Sequence, residues 1–227
     1  FLVATAGADL EGILAAKGSG AFAYSEEHPS AVIANIDIGG GTANIAVVQN
    51  QSLLGTCTLH IGGRLLEFEG EIVRKVSPPI QKWCMQKGID ISIGTAKSSG
   101  EIQQLLEDML DALMLALKGE IIEMHPLLLG QLPSWAKKVD TLTFSGGVAN
   151  FLHDTNQKCI GDLGFSIAQV IRESNLHKAF HIVRSAETVA ATVIGTCIQT
   201  TEVSGATIHV TERELPIKNC PITVVDL

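Results

Sequence analysis

No apolar run in this chain reaches the roughly 20 residues that a bilayer-spanning helix needs. The best candidate, residues 105–117, is interrupted by Glu107, Asp108 and Asp111. Clustered Lys/Arg is missing too, and the formal net charge is −8. Such a chain repels phosphate backbones and anionic leaflets, so neither nucleic acid nor a membrane is expected as a partner. Cysteine is sparse and odd in number: Cys57, Cys84, Cys159, Cys197 and Cys220, with no C-x-x-C spacing. That argues against a zinc site or a disulfide framework and for a reducing compartment, with the thiols as buried small hydrophobes. There is no internal repeat, no low-complexity segment and no Gly-x-x-x-x-Gly-Lys-Ser/Thr phosphate loop. No signal peptide opens the chain, which begins at Phe1 rather than Met, as a fragment would. What is present is 227 residues, 46% hydrophobic and 18% charged, with mean hydropathy +0.28. That is ordinary globular composition, enough for one large or two small cores.

Local patterns predict the elements. Residues 1–17 read as a strand end followed by a helix, broken by Gly18-Ser19-Gly20, with a short helix ending at Pro29. Three β-runs follow, 32–37, 43–49 and 52–59, too close together for a crossover helix, and so an antiparallel meander. A helix is expected from about Leu65 until Pro78-Pro79, and a short β-prone piece over 88–95. Ser98-Ser99-Gly100-Glu101 is a capping box. Behind it Ile102, Leu105, Leu106, Met109, Leu110, Leu113 and Leu117 keep helical spacing, a core-packing stripe. A strand over 139–144, helices near 151–155 and 163–173, a strand over 180–183 and a helix starting at 185–188 come next. The tail, 207–210 and 217–225, is β-like.

The first hairpin carries the chemistry. The run Ile36-Asp37-Ile38-Gly39-Gly40-Gly41-Thr42-Ala43-Asn44 joins two β-runs through an acid and three glycines. Glycines turn tightly and let backbone N–H groups approach an anion. An aspartate beside an anion makes sense when a divalent cation lies between them. The segment therefore reads as a Mg-phosphate hairpin, against the blander reading of a glycine-rich turn with a solvated aspartate.

The order of motifs is more specific than any one of them. Asp37 to Thr42, then Ile61-Gly62-Gly63-Arg64, then Phe144-Ser145-Gly146-Gly147, lie between small-residue helices around Ala21 and Ala190. This resembles the second half of the actin-like, Hsp70-like, sugar-kinase-like ATPase fold. The fold class implied is α/β, β-meander plus helices, with the first phosphate-loop lobe missing. By that resemblance residues 1–30 are a lobe-connecting helix region, 31–200 the second lobe and 201–227 a tail. It implies ATP and Mg as cofactors. Asp37 would be the catalytic and metal residue, holding Mg through water. Gly39, Gly40 and Gly41 would offer N–H groups and Thr42 a hydroxyl to the phosphates. Gly62 and Gly63, in a turn that resembles the loop continuing from the meander in Hsp70-type members, would also be cofactor-binding, and Gly146 and Gly147 would approach the adenosine. The two helices would cross between the lobes.

The wording around residues 1–11, 18–21, 35–46 and 61–65 is similar to one family of that superfamily, the ethanolamine ammonia-lyase reactivating factors. That resemblance implies a chaperone-like protein using Mg-ATP to release damaged cobalamin from ethanolamine ammonia-lyase so that adenosylcobalamin rebinds. Cytoplasm or a bacterial microcompartment would be its location, and hydrolysis would need the complete protein. A small-molecule kinase of the same fold and a cytoskeletal relative remain as alternatives.

Rival signals are weak. Gly18-Ser19-Gly20-Ala21-Phe22-Ala23 imitates a dinucleotide fingerprint but follows a helix rather than a strand. Gly164-Phe165-Ser166-Ile167-Ala168 lacks the closing glycine of a nucleophile elbow. His177 and His181 lack a third ligand and read as surface or core histidines. Asp9 and Glu11 read as a solvated helix face.

Overall fold

The architecture comes from a computed structural model that describes residues 7–153 and 161–198. The three expected β-runs form β1 (Ile33–Ile38), β2 (Ala43–Gln49) and β3 (Ser52–Leu59), paired antiparallel in sequence order. Asn50 and Gln51, with φ of 45° and 59°, make the two-residue turn between β2 and β3. Left-handed backbone at both turn positions matches the twist of the flanking strands, and Asn tolerates it well. On the other side of β1 lies β7 (Thr141–Ser145), parallel to it, and β8 (His181–Ile182) is parallel to β7. The two-residue β6 (Leu128–Leu129) edges β3, so the sheet order is β6-β3-β2-β1-β7-β8. This is the α/β class with a meander, extended by parallel strands beyond β1.

The period of two along each strand separates two faces. Ala34, Ile36, Ile38, Ile45, Val47, Cys57, Leu59, Leu142 and Phe144 enter the main core. There they meet α4 (Ser99–Lys118) and α6 (Gly164–Glu173). Leu105, Leu106, Met109, Leu113 and Leu117 of α4 are buried as their spacing requires, and Ile102 and Leu110 pack at the margin. The opposite face meets α1 (Ala8–Gly18) and α2 (Ala21–Glu27) in a smaller apolar cluster of Ala16, Ala21, Ile33, Ala46 and Val48. Outside α1 lies α8 (Ala191–Ile198). A Cβ on Gly18 would overlap the Ala191 carbonyl, and one on Gly195 the Leu14 carbonyl, so the two backbones touch.

Several expectations are corrected. The segment after Leu65 is not a helix but a hairpin, β4 (Leu66–Glu69) with β5 (Ile72–Val76), turning at Gly70 with φ 61°. Pro78-Pro79 opens α3 (Pro78–Lys87) instead of stopping a helix. Proline suits a first turn because its fixed φ is helical and no N–H is needed there. Residues 88–95 form no strand; beside them Ala96 makes one isolated bridge with Ile72. α5 (Gly147–His153) starts at the glycine turn itself, ahead of residue 151. α7 (Leu176–Ala179) was not foreseen. The last helix begins at Ala191 rather than 185–188. The Ser185 hydroxyl donates to the Phe144 carbonyl at 2.7 Å and that of Thr188 to Asn150 at 2.6 Å, so neither caps a helix. The helix pair packed against each other is α1 with α8; α2 holds the region around Ala21. Cys57 and Cys84 are buried, their thiols pushed up to about 12 and about 11 chiefly by burial. Cys197 is exposed, contrary to expectation. Cys159, Cys220 and the β-like tail lie outside the described residues. No described helix is long and apolar enough to cross a membrane.

The capping box of α4 is complete. Glu101 N–H donates to Ser98 Oγ at 3.3 Å, and Ser98 N–H donates to Glu101 Oε2 at 3.0 Å. The Ser98 backbone bond, then the bonds from Lys97 and the Ser98 hydroxyl, hold the Glu101 carboxyl down at about 2. Ser98→Ala should cost about 1 kcal/mol in urea unfolding. A carboxylate held below its ordinary value stabilises the fold above its unfolded pKa of 4.5 and ceases to as pH falls toward 2. Wild-type stability should therefore decline across that window more steeply than that of Glu101→Gln.

Candidate functional site

The turn between β1 and β2 is closed by the Gly39 N–H donating to the Thr42 carbonyl at 3.0 Å. A second segment straps it from behind. Gly63 N–H donates to the Gly39 carbonyl at 3.0 Å and Arg64 N–H to the Gly40 carbonyl at 2.7 Å. Gly62 permits that approach: a Cβ there would lie 2.5 Å from the Gly40 oxygen and 2.6 Å from the Gly41 nitrogen. Glycine at 39, 40 and 41 is a different matter. None of the three has left-handed φ. A Cβ at Gly41 would meet nothing within 4 Å, and one at Gly39 only the Thr42 oxygen at 4.0 Å. At Gly40 it would touch the Arg64 stem at an ordinary 3.5 Å. Neither strain nor crowding in the fold demands glycine at these positions. Their missing side chains leave the backbone of the turn open to close approach.

β7 ends beside this turn. Gly146, with φ 83°, donates its N–H to the Thr188 carbonyl at 3.0 Å, and a Cβ on it would overlap the Ile38 carbonyl. Gly146 thus seats the end of β7 against the end of β1. Gly147 opens α5 with open space where a Cβ would stand. A cleft of about 440 Å³ runs between the two glycine turns and is lined by Gly39, Gly40, Gly63, Arg64, Gly147 and Asn150 among others. Of the residues predicted from sequence, Gly39, Gly40, Gly63 and Gly147 share this wall. Gly62 and Gly146 support it from behind. Gly41 and Thr42 sit on the turn away from the wall. The Gly39 N–H is used inside the turn, which leaves Gly40 and Gly41 as the glycines whose N–H groups donate to no backbone carbonyl among the described residues.

Asp37 stands one residue before the end of β1, 9% exposed. Its Oδ1 accepts from the Ser145 hydroxyl at 2.7 Å. Ser145 Oγ accepts from Asn35 Nδ2 at 3.1 Å, and Asn35 Oδ1 accepts from the Thr143 hydroxyl at 2.9 Å. This buried chain of donors runs from β7 through β1 and ends on the carboxylate. Burial pushes the Asp37 carboxyl above its ordinary range, the Ser145 bond opposes that, and the nearby Glu11 carboxylate adds to it. Glu11 Oε2 accepts from Asn44 Nδ2 at 3.3 Å, and Asn44 Oδ1 accepts from the Thr58 hydroxyl at 3.2 Å. Asp9 accepts from the Thr56 hydroxyl at 2.8 Å. Asp9 and Glu11 are exposed, as their helix face suggested, yet both are tied to the sheet.

Asn35, Thr58 and Thr143 were given no role from the sequence, and Asn44 and Ser145 stood only as members of the glycine motifs. The available signal was polar residues at every second position of otherwise apolar strands. Among the described residues no group of three or more His, Cys, Asp or Glu side chains is placed to hold a metal ion. His177 on α7 and His181 on β8 form no such site. A lone carboxylate matches Mg²⁺ bound with a nucleotide, which keeps most of its waters and takes few protein ligands. A buried acid that resists ionisation gains from a neighbouring cation.

The family model described as "Ethanolamine utilisation protein EutA" matches residues 1–227. The ethanolamine ammonia-lyase reactivase EutA of Salmonella typhimurium is 32% identical over 235 residues, covering 99% of this chain and 49% of that protein. The protein of the same description from Escherichia coli is 32% identical over 232 residues, covering 99% and 49%. The chain therefore spans about half the length of the curated relatives it matches. A solved structure described as "Alp12 filament structure" aligns with TM-score 0.38 and 16% identity, over 78% of this chain and 50% of that one.

The two kinds of glycine should respond differently to alanine. Gly146→Ala combines left-handed strain with a backbone clash and should lower unfolding free energy by at least ~2 kcal/mol, and Gly62→Ala should behave alike. Gly41→Ala should leave thermal unfolding within a few degrees of wild type. Scanning calorimetry of the variants checks the contrast; equal losses at all three positions would mean that the turn glycines are structural too.

Proposed function

Since the chain belongs to the EutA family of ethanolamine utilisation proteins, we propose that it provides the nucleotide-handling part of a protein that reactivates ethanolamine ammonia-lyase. The observation that carries this reading is the convergence of two glycine turns, from β1–β2 and β7–α5, on one cleft, with a buried carboxylate, Asp37, near the end of the strand that leads into the first turn. In this reading the Gly40 N–H donates to the phosphates of ATP from the cleft wall, Gly41 and the Thr42 hydroxyl donate from the rest of the same turn, outside that wall, and Gly147 lets adenosine approach the backbone. Gly62, Gly63 and Gly146 hold those segments in place. Asp37 is the residue that would hold Mg²⁺, and the Ser145 hydroxyl holds its carboxylate in place. Mg²⁺, when bound, neutralises phosphate charge and polarises the transferred group. The cleft volume falls within the usual range for small-molecule sites.

No described residue stands out as a base for a metabolite hydroxyl. ATP is therefore assigned to a conformational task. Differential affinity for the lyase between nucleotide states lets turnover drive the partner between conformations. The expected result is release of damaged cobalamin and rebinding of adenosylcobalamin, in the cytoplasm or within a microcompartment.

The test uses full-length protein, inactivated ethanolamine ammonia-lyase, Mg-ATP and free adenosylcobalamin. Lyase activity should return only with all of them present. Asp37→Asn keeps the shape and the acceptor for Ser145 but removes the charge. It should cut ATP hydrolysis by about 10²–10³ and abolish recovery, with an unchanged circular dichroism spectrum. Absence of recovery together with steady phosphorylation of an added small alcohol or acid would replace the reactivase reading with a kinase.

A further inference from the structure

The cleft has one cationic side chain among its described lining residues. Glycines, Asn150, Val148 and Phe151 make most of the wall, Asp162 contributes an acid, and Arg64 alone carries positive charge. Asp37 behind the turn adds another acid. In a protein of net charge −8 such a cleft opposes an anion unless positive charge is supplied at the wall itself.

Arg64 is placed to supply it. Its own N–H donates to the Gly40 carbonyl at 2.7 Å, which ties its backbone to the turn. Its stem passes over Gly40: a Cβ built there would lie 3.5 Å from Arg64 Cδ and 3.7 Å from its Cβ and Cγ. The residue sits in a short 3-10 turn, Gly63–Leu65, buried at both ends by Gly63 and Leu65. The side chain is nonetheless exposed, and no acid or acceptor among the described residues engages its guanidinium. Backbone anchoring with a free, cleft-facing head differs from an ordinary surface arginine, whose position nothing determines. A guanidinium presents a planar fork that takes phosphate oxygens two at a time.

We infer that Arg64 is a clamp for the polyphosphate of the bound nucleotide, acting across the same turn whose glycine N–H groups face that ligand. This rests on the nucleotide reading of the cleft and adds to it the source of its positive charge. Adenosine has no phosphate and gains nothing from the clamp. Loss of Arg64 should therefore discriminate between the two ligands, which a merely structural role would not do.

The experiment measures binding of ATP by titration calorimetry and of adenosine by saturation-transfer NMR to full-length wild type, Arg64→Ala, Arg64→Met and Arg64→Lys. Arg64→Ala and Arg64→Met should bind ATP about ten- to a hundredfold more weakly, the worth of a charge-assisted hydrogen bond or two. Adenosine binding should be unchanged, and the salt dependence of ATP affinity should flatten. Arg64→Lys, keeping the charge without the fork, should fall between. Equal ATP affinity in wild type and Arg64→Met overturns the clamp and leaves the nucleotide site standing. Parallel loss of ATP and adenosine binding with a lowered Tm in all three variants also overturns it, as a structural strap. A wild type that binds no ATP overturns the nucleotide reading itself, and the clamp with it.

Discussion

The parallel pairing of β1 with β7 is the constraint on which the site depends. Asp37 stands opposite Ser145 in register, so the two strands finish at the same edge of the sheet. Their following segments, the turn after Ile38 and the start of α5, must then emerge side by side. An antiparallel pairing would send them to opposite edges and leave no cleft between them. Gly146 tightens the arrangement by letting the end of β7 press on the Ile38 backbone. The strap at Gly62 to Arg64 then holds the first turn from below.

Burying polar groups in the middle of a sheet costs free energy unless each finds a partner. Asn35, Thr143, Ser145 and Asp37 meet that condition by bonding one another across β1 and β7, and Asn44 and Thr58 do so across β2 and β3. Apolar residues at the same positions would pack this face with less risk. The retained chain ends on the Asp37 carboxylate, just before the first glycine turn, and chains of hydrogen bonds polarise one another. The sheet therefore divides its labour. One face, rich in isoleucine, valine and leucine, anchors α4 and α6, while the other holds an acid in a defined rotamer beneath a glycine turn.

Membership of the EutA family and this geometry bear on different levels of the argument. The family relates the chain to proteins described as reactivases, of which it spans about half the length. The geometry speaks to the chemistry of a cleft: three turn glycines, Gly39 to Gly41, that neither strain nor crowding requires, a buried acid, and one arginine. The proposed reactivase role is where the two would meet, with nucleotide chemistry at the cleft serving a change of state in a partner protein.

The sequence by itself determined the features whose cause lies within a few residues. Alternation of apolar residues and the Asn50-Gln51 pair made the meander; Ser98 and Glu101, three residues apart, made the start of α4; the glycine runs marked both turns. Where local signals were two-sided, tertiary packing decided. Pro78-Pro79 ends a helix or begins one with equal local logic, and the pairing of β4 with β5 selected the second. Residues 185–188 read as a helix start, but the Ser185 and Thr188 hydroxyls bond distant partners. The sorting of glycines into crowded supports and open turn positions needed the neighbours of each. The partners around Asp37 needed it most: Ser145 lies 108 residues from it, and Glu11 reaches Asn44 over 33. No periodicity reports contacts at such separations, because they exist only once the strands are paired and α1 is laid across them.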